Sequence, residues 1–252
     1  MKLQTASPDQ PGLLPAFYDV PDNMVAGEPG SIIKLEKVDA PEEVRAWRVI
    51  YRSQTAAGIA VPVSGLIIAP KSARPGANLP VVSWAHGTVG AARYCAPSNV
   101  PNPVSDFVGY PSFESTVPND YGIPGLSAFL KAGYVVVATD YQGLGAGQNH
   151  EYIVGLSQAR NAIDIARAAR SVSQAGASDR VAVLGWSQGG LAALIAGENA
   201  YYAPDLDIVG GSRFSPRQPS NLSDSRNFPT IDWRPANGAQ HSPHQGLYLG
   251  IS

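Results

Sequence analysis

The 252-residue chain has one cysteine, Cys95, so no disulfide can form within it. A lone cysteine of this kind reads as a small buried apolar side chain rather than a reactive thiol. Charge is sparse: 15% of residues are charged and the formal net charge is −2. There is no basic block, which argues against nucleic acid or an anionic membrane surface as a partner. No window approaches the ~20 consecutive apolar residues that span a bilayer, so no transmembrane segment is expected. The first ten residues, Met1-Lys-Leu-Gln-Thr-Ala-Ser-Pro-Asp-Gln10, contain no apolar run of the kind a secretory signal needs. The four histidines are scattered, with no His-x-x-x-His helix face, so no metal is expected. Nor is a nucleotide cofactor: Gly143-Leu-Gly-Ala-Gly147 leaves the Gly-x-Gly-x-x-Gly fingerprint incomplete. Repeats and heptads are absent too.

What remains is the composition of a globular enzyme domain, 44% hydrophobic and long enough to bury one substantial core. Residues 1–44 are rich in Pro, Asp and Gly and read as an extended N-terminal arm. Alternating or β-branched runs then predict strands over 45–51, 59–69, 79–85, 134–140, 180–184 and 206–210. A helical stretch closes over 127–133, and longer helices are expected over 156–172 and 188–199. In the helix over 156–172, Leu156, Ala159, Ile163 and Ala166 share one face. Arg160, Asp164, Arg167 and Arg170 fall largely on the other. Paired strands followed by a β-α-β-α-β alternation indicate a mostly parallel α/β sheet with an antiparallel edge.

The densest signal is Val181-Ala-Val-Leu-Gly-Trp-Ser-Gln-Gly-Gly190. An apolar strand runs into Gly185-x-Ser187-x-Gly189, and an Ala/Leu-rich helix follows at once. This is the strand, sharp turn and helix that expose a nucleophilic serine in α/β-hydrolases. The flanking glycines have a steric reason, because a serine in a strained turn crowds the backbone two residues to either side. The helix aims its first amides at the serine, so the N–H of Gln188 is a candidate oxyanion donor.

Further segments share a pattern: Ser83-Trp-Ala-His-Gly-Thr88, Cys95-Ala-Pro-Ser98, Ala138-Thr-Asp-Tyr-Gln-Gly-Leu-Gly145, Gly147-x-x-His150-x-Tyr152, Gly185-Trp-Ser-Gln-Gly-Gly190 and Gly197-Glu198. With these residues the chain resembles the secretory lipase family of α/β-hydrolases, over about residues 15–211. The resemblance implies Ser187 as nucleophile, and Gly87 and Thr88 as the turn that supplies further oxyanion donors. It implies that His86 and His150 brace loops, since the base of this fold follows the nucleophile in the chain. Asp140 is likewise expected to stabilise a turn rather than serve as the triad acid.

The order Ser, then Asp or Glu, then His places the remaining triad members after Ser187. The 41 residues from Ser212 to Ser252 hold seven Ser and five Pro but only five of Val, Ile, Leu and Met. The preceding 31, Val181 to Gly211, hold nine of those aliphatics. The tail therefore reads as loop, with no room for the final strands and cap of the family. The expected organisation is an N-terminal extension over 1–44, a partial hydrolase core over 45–211 and a polar tail over 212–252. A frameshift near residue 212, leaving a truncated lipase, would produce such a change. The competing expectation is a compact triad completed by Asp232 as acid (or Asp224) and His241 as base, with His244 the alternative.

The leading functional expectation is a serine hydrolase that cleaves carboxylic esters of the acylglycerol type through an acyl-enzyme on Ser187. A lipid or small ester would be the substrate, with no cofactor. The alternatives are a catalytically incomplete, non-enzymatic remnant, and an acyltransferase or peptidase on the same scaffold. The family implies export. Oligomeric state and acyl-chain preference have no signature in the sequence.

Overall fold

The structure is a computed structural model and describes residues 14–106 and 122–214. Strand β1 covers Ile32–Val38, β2 Val44–Gln54, β3 Ala60–Pro70 and β4 Leu79–Ala85. The short helix α1, Leu126–Lys131, leads to β5, Val135–Thr139. Helix α2 is Gly155–Ser171, β6 Ala177–Trp186, α3 Gln188–Glu198 and β7 Asp207–Phe214. No described helix is long and apolar enough to cross a membrane.

The strands form one sheet in the order β1-β2-β3-β5-β4-β6-β7. Strands β1, β2, β3 and β5 pair antiparallel in turn, whereas β5, β4, β6 and β7 run parallel. The crossovers that make the second half parallel carry the helices, as parallel pairing requires. This is the α/β-hydrolase architecture that the strand and helix pattern predicts.

The period-2 alternation of the central strands decides what each face meets. Val135 and Val137 of β5, with Val181 and Val183 of β6, turn toward α2 and α3 and meet Ala162, Ala166, Ala193 and Ala196. Val136, Ala138, Val82, Trp84 and Leu184 turn to the opposite face, where Leu126 and Leu130 of α1 cover them. Alanine on the helices lets α2 and α3 lie close to the face they cover.

Several boundaries differ from expectation. The sheet begins at Ile32, inside the expected N-terminal arm, because β1 pairs with the long β2 from Ile32↔Tyr51 to Val38↔Ala46. Its charged, half-exposed sequence, Ile-Ile-Lys-Leu-Glu-Lys-Val, fits an edge and gave no strong periodicity. At the other end, β7 runs on to Phe214 beside Trp186, past the boundary expected at 211. Cys95 is free but only partly buried. Asp164 of α2, expected toward solvent, is fully buried.

Candidate active site

Strand β6 delivers Ser187 to the carboxyl edge of the sheet. Ser187 adopts φ 50°, ψ −114°, a left-handed conformation that L residues avoid, and its side chain is exposed. Among the described residues its hydroxyl makes no hydrogen bond. Both flanking glycines are required by close packing. A Cβ at Gly185 would overlap the Gly189 carbonyl, and one at Gly189 would overlap the carbonyl oxygen of Ala85. That second approach presses the first turn of α3 onto the end of β4, the point from which Gly87 and Thr88 continue. The amides of Gly190 and Leu191 bond to the Ser187 carbonyl at 3.0 and 3.3 Å and start the helix. The Gln188 amide lies ahead of them, at the positive end of the helix.

His86 opens the loop after β4 and is buried. Its Nδ1 lies 2.5 Å from the Gly87 carbonyl and its Nε2 3.2 Å from the Asp140 carbonyl. The ring packs against Tyr141 at 4.4 Å between centroids, and the Tyr141 hydroxyl donates to the His86 carbonyl at 2.9 Å. Burial pushes the His86 pKa down to about 4, against the pull of the two carbonyls, so the ring is neutral at pH 7. The neutral ring has one N–H and donates to one of these two carbonyls; set between them, His86 braces the Gly87-Thr88 turn and does not contact the serine.

His150 is placed by the glycine-rich loop after β5. A Cβ at Gly143 would overlap the backbone of Asn149 and His150, so these glycines serve close loop packing. His150 Nδ1 donates to the Gln142 carbonyl at 2.9 Å, and its Nε2 lies 3.3 Å from the Gln188 side-chain amide. Burial lowers its pKa, which keeps Nε2 an acceptor. Gln142 is anchored in turn by its amide donating to Asn161 Oδ1 of α2 at 3.0 Å. One residue beyond Glu151, the Tyr152 hydroxyl meets Thr88 Oγ1 at 3.0 Å. Sequence reasoning gave no role to Gln142, Asn161 or Tyr152. The spacing Gly147-x-x-His150-x-Tyr152 marked the segment, but only the fold shows what it touches.

Asp140, at the end of β5, is buried and accepts hydrogen bonds from Ser64 Oγ at 2.6 Å, the Ser98 amide at 2.8 Å and the Ser98 hydroxyl. Desolvation raises its pKa to about 6 in spite of these donors. Its carboxylate ties β3, β5 and the turn at Pro97–Asn99 together and, among the described residues, makes no contact with a histidine side chain.

The structure thus brings Ser187, Gln188, Gly87 and Thr88 to one sheet edge. Asp224, Asp232, His241 and His244 lie outside the described residues. An open polar cleft of about 1290 Å³ lies elsewhere, near Asn78 and Ala177 at the opposite ends of β4 and β6. No cluster of three or more metal-ligating side chains occurs among the described residues.

Residues 110–218 match a family model described as secretory lipase. This stretch, a little under half of the chain, is similar to the secretory lipases. A probable inactive lipase of Mycobacterium tuberculosis is 27% identical over 216 residues, which is 81% of this chain and 46% of that protein. Lipase 1 of Candida albicans is 27% identical over 214 residues, 79% of this chain and 43% of that protein. Candida antarctica lipase A in its closed state superposes with a TM-score of 0.61 at 26% identity, covering 81% of this chain and 45% of that one. The rice cell wall degrading esterase LipA from Xanthomonas oryzae shares the fold, with a TM-score of 0.53 at 23% identity over 73% of this chain and 49% of that one. The chain therefore spans a little under half the length of the relatives it matches. The secretory-lipase model continues to residue 218, beyond the boundary expected at 211.

Proposed function

We propose that this chain carries the nucleophile and oxyanion half of a carboxylic-ester hydrolase of the lipase type. The observation that supports this most is the backbone of Ser187: φ 50°, ψ −114°, exposed between a buried strand and the start of α3. Strain of that kind costs of order 1–3 kcal/mol and persists where the surroundings over-determine it. Here the two glycine contacts do so.

In the proposed reaction the Ser187 hydroxyl attacks the ester carbonyl while a base takes its proton. The carbonyl oxygen becomes an oxyanion that rests on the Gln188 amide and the donors of Gly87 and Thr88. Collapse expels the alcohol and leaves an acyl-enzyme, which water hydrolyses by the reverse sequence. The ring nitrogens of His86 and His150 all lie against groups other than Ser187. The base is therefore proposed from the later histidines, His241 with His244 as alternative, and the acid as Asp232 or Asp224. The ester class follows from the relatives, and acylglycerols or other lipid esters are the proposed substrates.

A second reading is a non-catalytic protein on the same scaffold. It is favoured by the Mycobacterium tuberculosis relative, whose name describes it as a probable inactive lipase. Hydrolysis of p-nitrophenyl butyrate by the purified chain, with Ser187→Ala as control, separates the two. Turnover abolished by the substitution supports the hydrolase. A folded, soluble protein without turnover supports the second reading.

A further inference from the structure

We propose that Tyr152 is a positioning residue of the oxyanion site: its phenol donates to Thr88 Oγ1 and so leaves the Thr88 proton to point at the ester oxygen. This inference rests on the ester-hydrolase reading above.

Three observations carry it. The first is the contact itself, 3.0 Å between the Tyr152 hydroxyl and Thr88 Oγ1, across 64 residues of sequence. A threonine hydroxyl has one proton and two lone pairs. If its proton goes to a developing oxyanion, a donor on its lone pair both fixes the rotor and strengthens the donation. Either hydroxyl could donate across this contact; the phenol is the stronger acid and is assigned as the donor, and Thr88 makes no other hydrogen bond among the described residues.

The second is where Tyr152 is held. Its ring packs beside His150 at 6.1 Å between centroids, and His150 in turn reaches the Gln188 side chain. Tyr152 is thus coupled to both sides of the expected oxyanion site, the Thr88 turn and the α3 turn.

The third is strain. Ile153, the next residue, has φ 59°, a conformation that β-branched side chains rarely adopt. The turn is maintained from the α2 side, where the Val154 amide donates to the Glu151 carbonyl at 3.2 Å and the Gln158 side-chain amide to the same oxygen at 3.1 Å. Tyr152 is 47% exposed, so its own burial does not hold the turn in place. The strained turn holds the phenol over Thr88.

The test is a double-mutant cycle on p-nitrophenyl butyrate hydrolysis by the full chain. Tyr152→Phe is expected to lower kcat about three- to tenfold with KM unchanged, the scale of one hydrogen bond felt mainly in the transition state. Thr88→Ala is expected to lower kcat by roughly a hundredfold, as loss of an oxyanion donor does. Thr88→Ser, which keeps the hydroxyl, restores most of it. In the Thr88→Ala background Tyr152→Phe has no further effect, because Tyr152 acts through Thr88. Tyr152→Phe removes one exposed oxygen, and an unchanged melting temperature confirms that folding is intact. Wild-type turnover with an unaffected or fully additive Tyr152→Phe overturns this inference alone. Absence of wild-type turnover overturns the hydrolase reading, and this inference with it.

Discussion

At the scale of single residues, two glycines and one serine define the site. Gly189 has no room for a methyl group, since the carbonyl oxygens of Ala85 and His86 already occupy that space. Gly189→Ala is expected to destabilise by roughly 3 kcal/mol, read as a lower urea midpoint, because the backbone of β4 cannot yield. Ser187→Gly has the opposite sign. Glycine adopts φ 50° without penalty, so the variant is expected to gain about 1–2 kcal/mol while losing the proposed nucleophile. A Ser187→Gly protein no more stable than wild type would show that the turn carries no strain. These three positions are legible in the sequence because Gly-x-Ser-x-Gly is a local steric requirement. Tyr152 is not, because its partner Thr88 is distant in the chain.

At the scale of elements, helix α2 shows where periodicity misleads. Its apolar face packs on the sheet as the 3.6-residue spacing predicts, yet Asp164 on the other side is fully buried. It accepts from Ser53 Oγ of β2 at 2.7 Å, from Arg167 at 2.8 Å and from the Tyr202 hydroxyl at 3.0 Å. The segment after α3, which carries Tyr202 and Asp205, covers the outer side of α2 and turns a solvent face into an interface. Asn161, one turn before Asp164, completes the network by donating to Ser53 Oγ at 2.8 Å. Asp164→Ala removes the acceptor of Ser53 Oγ, the Tyr202 hydroxyl and Arg167 Nη1, while Arg167 keeps Asp205, and a loss of about 3 kcal/mol in unfolding free energy is expected. Asp164→Asn, which keeps an acceptor, is expected to lose less. Equal losses would mean that shape, not hydrogen bonding, sets the cost.

At the scale of the whole molecule, buried titratable groups set the response to pH. Burial raises Asp140 and Asp164 from 3.8 to about 6 and lowers His86 from 6.5 to about 4. A raised carboxyl contributes stability that is present below pH 3.8 and lost as pH rises toward 6. The lowered imidazole contributes stability that is present above 6.5 and lost as pH falls toward 4. The two effects oppose each other in one window, so they are separated by comparing variants. The stability of wild type relative to Asp140→Asn is expected to fall between pH 4 and 6, on the order of 1 kcal/mol or more. A pH-independent difference in chemical denaturation would show that Asp140 ionises as freely folded as unfolded. The sequence alone determined the fold class, the central strands, the Gly-x-Ser-x-Gly turn and the glycine-bearing loop after β4. Each of these is encoded by contiguous residues whose period or steric demand acts over a few positions. Only the tertiary structure decided that β1 joins the sheet, that Asp164 is interior, and that His150 and Tyr152 meet Gln188 and Thr88. Those facts depend on contacts between segments far apart in the chain, which no local pattern encodes.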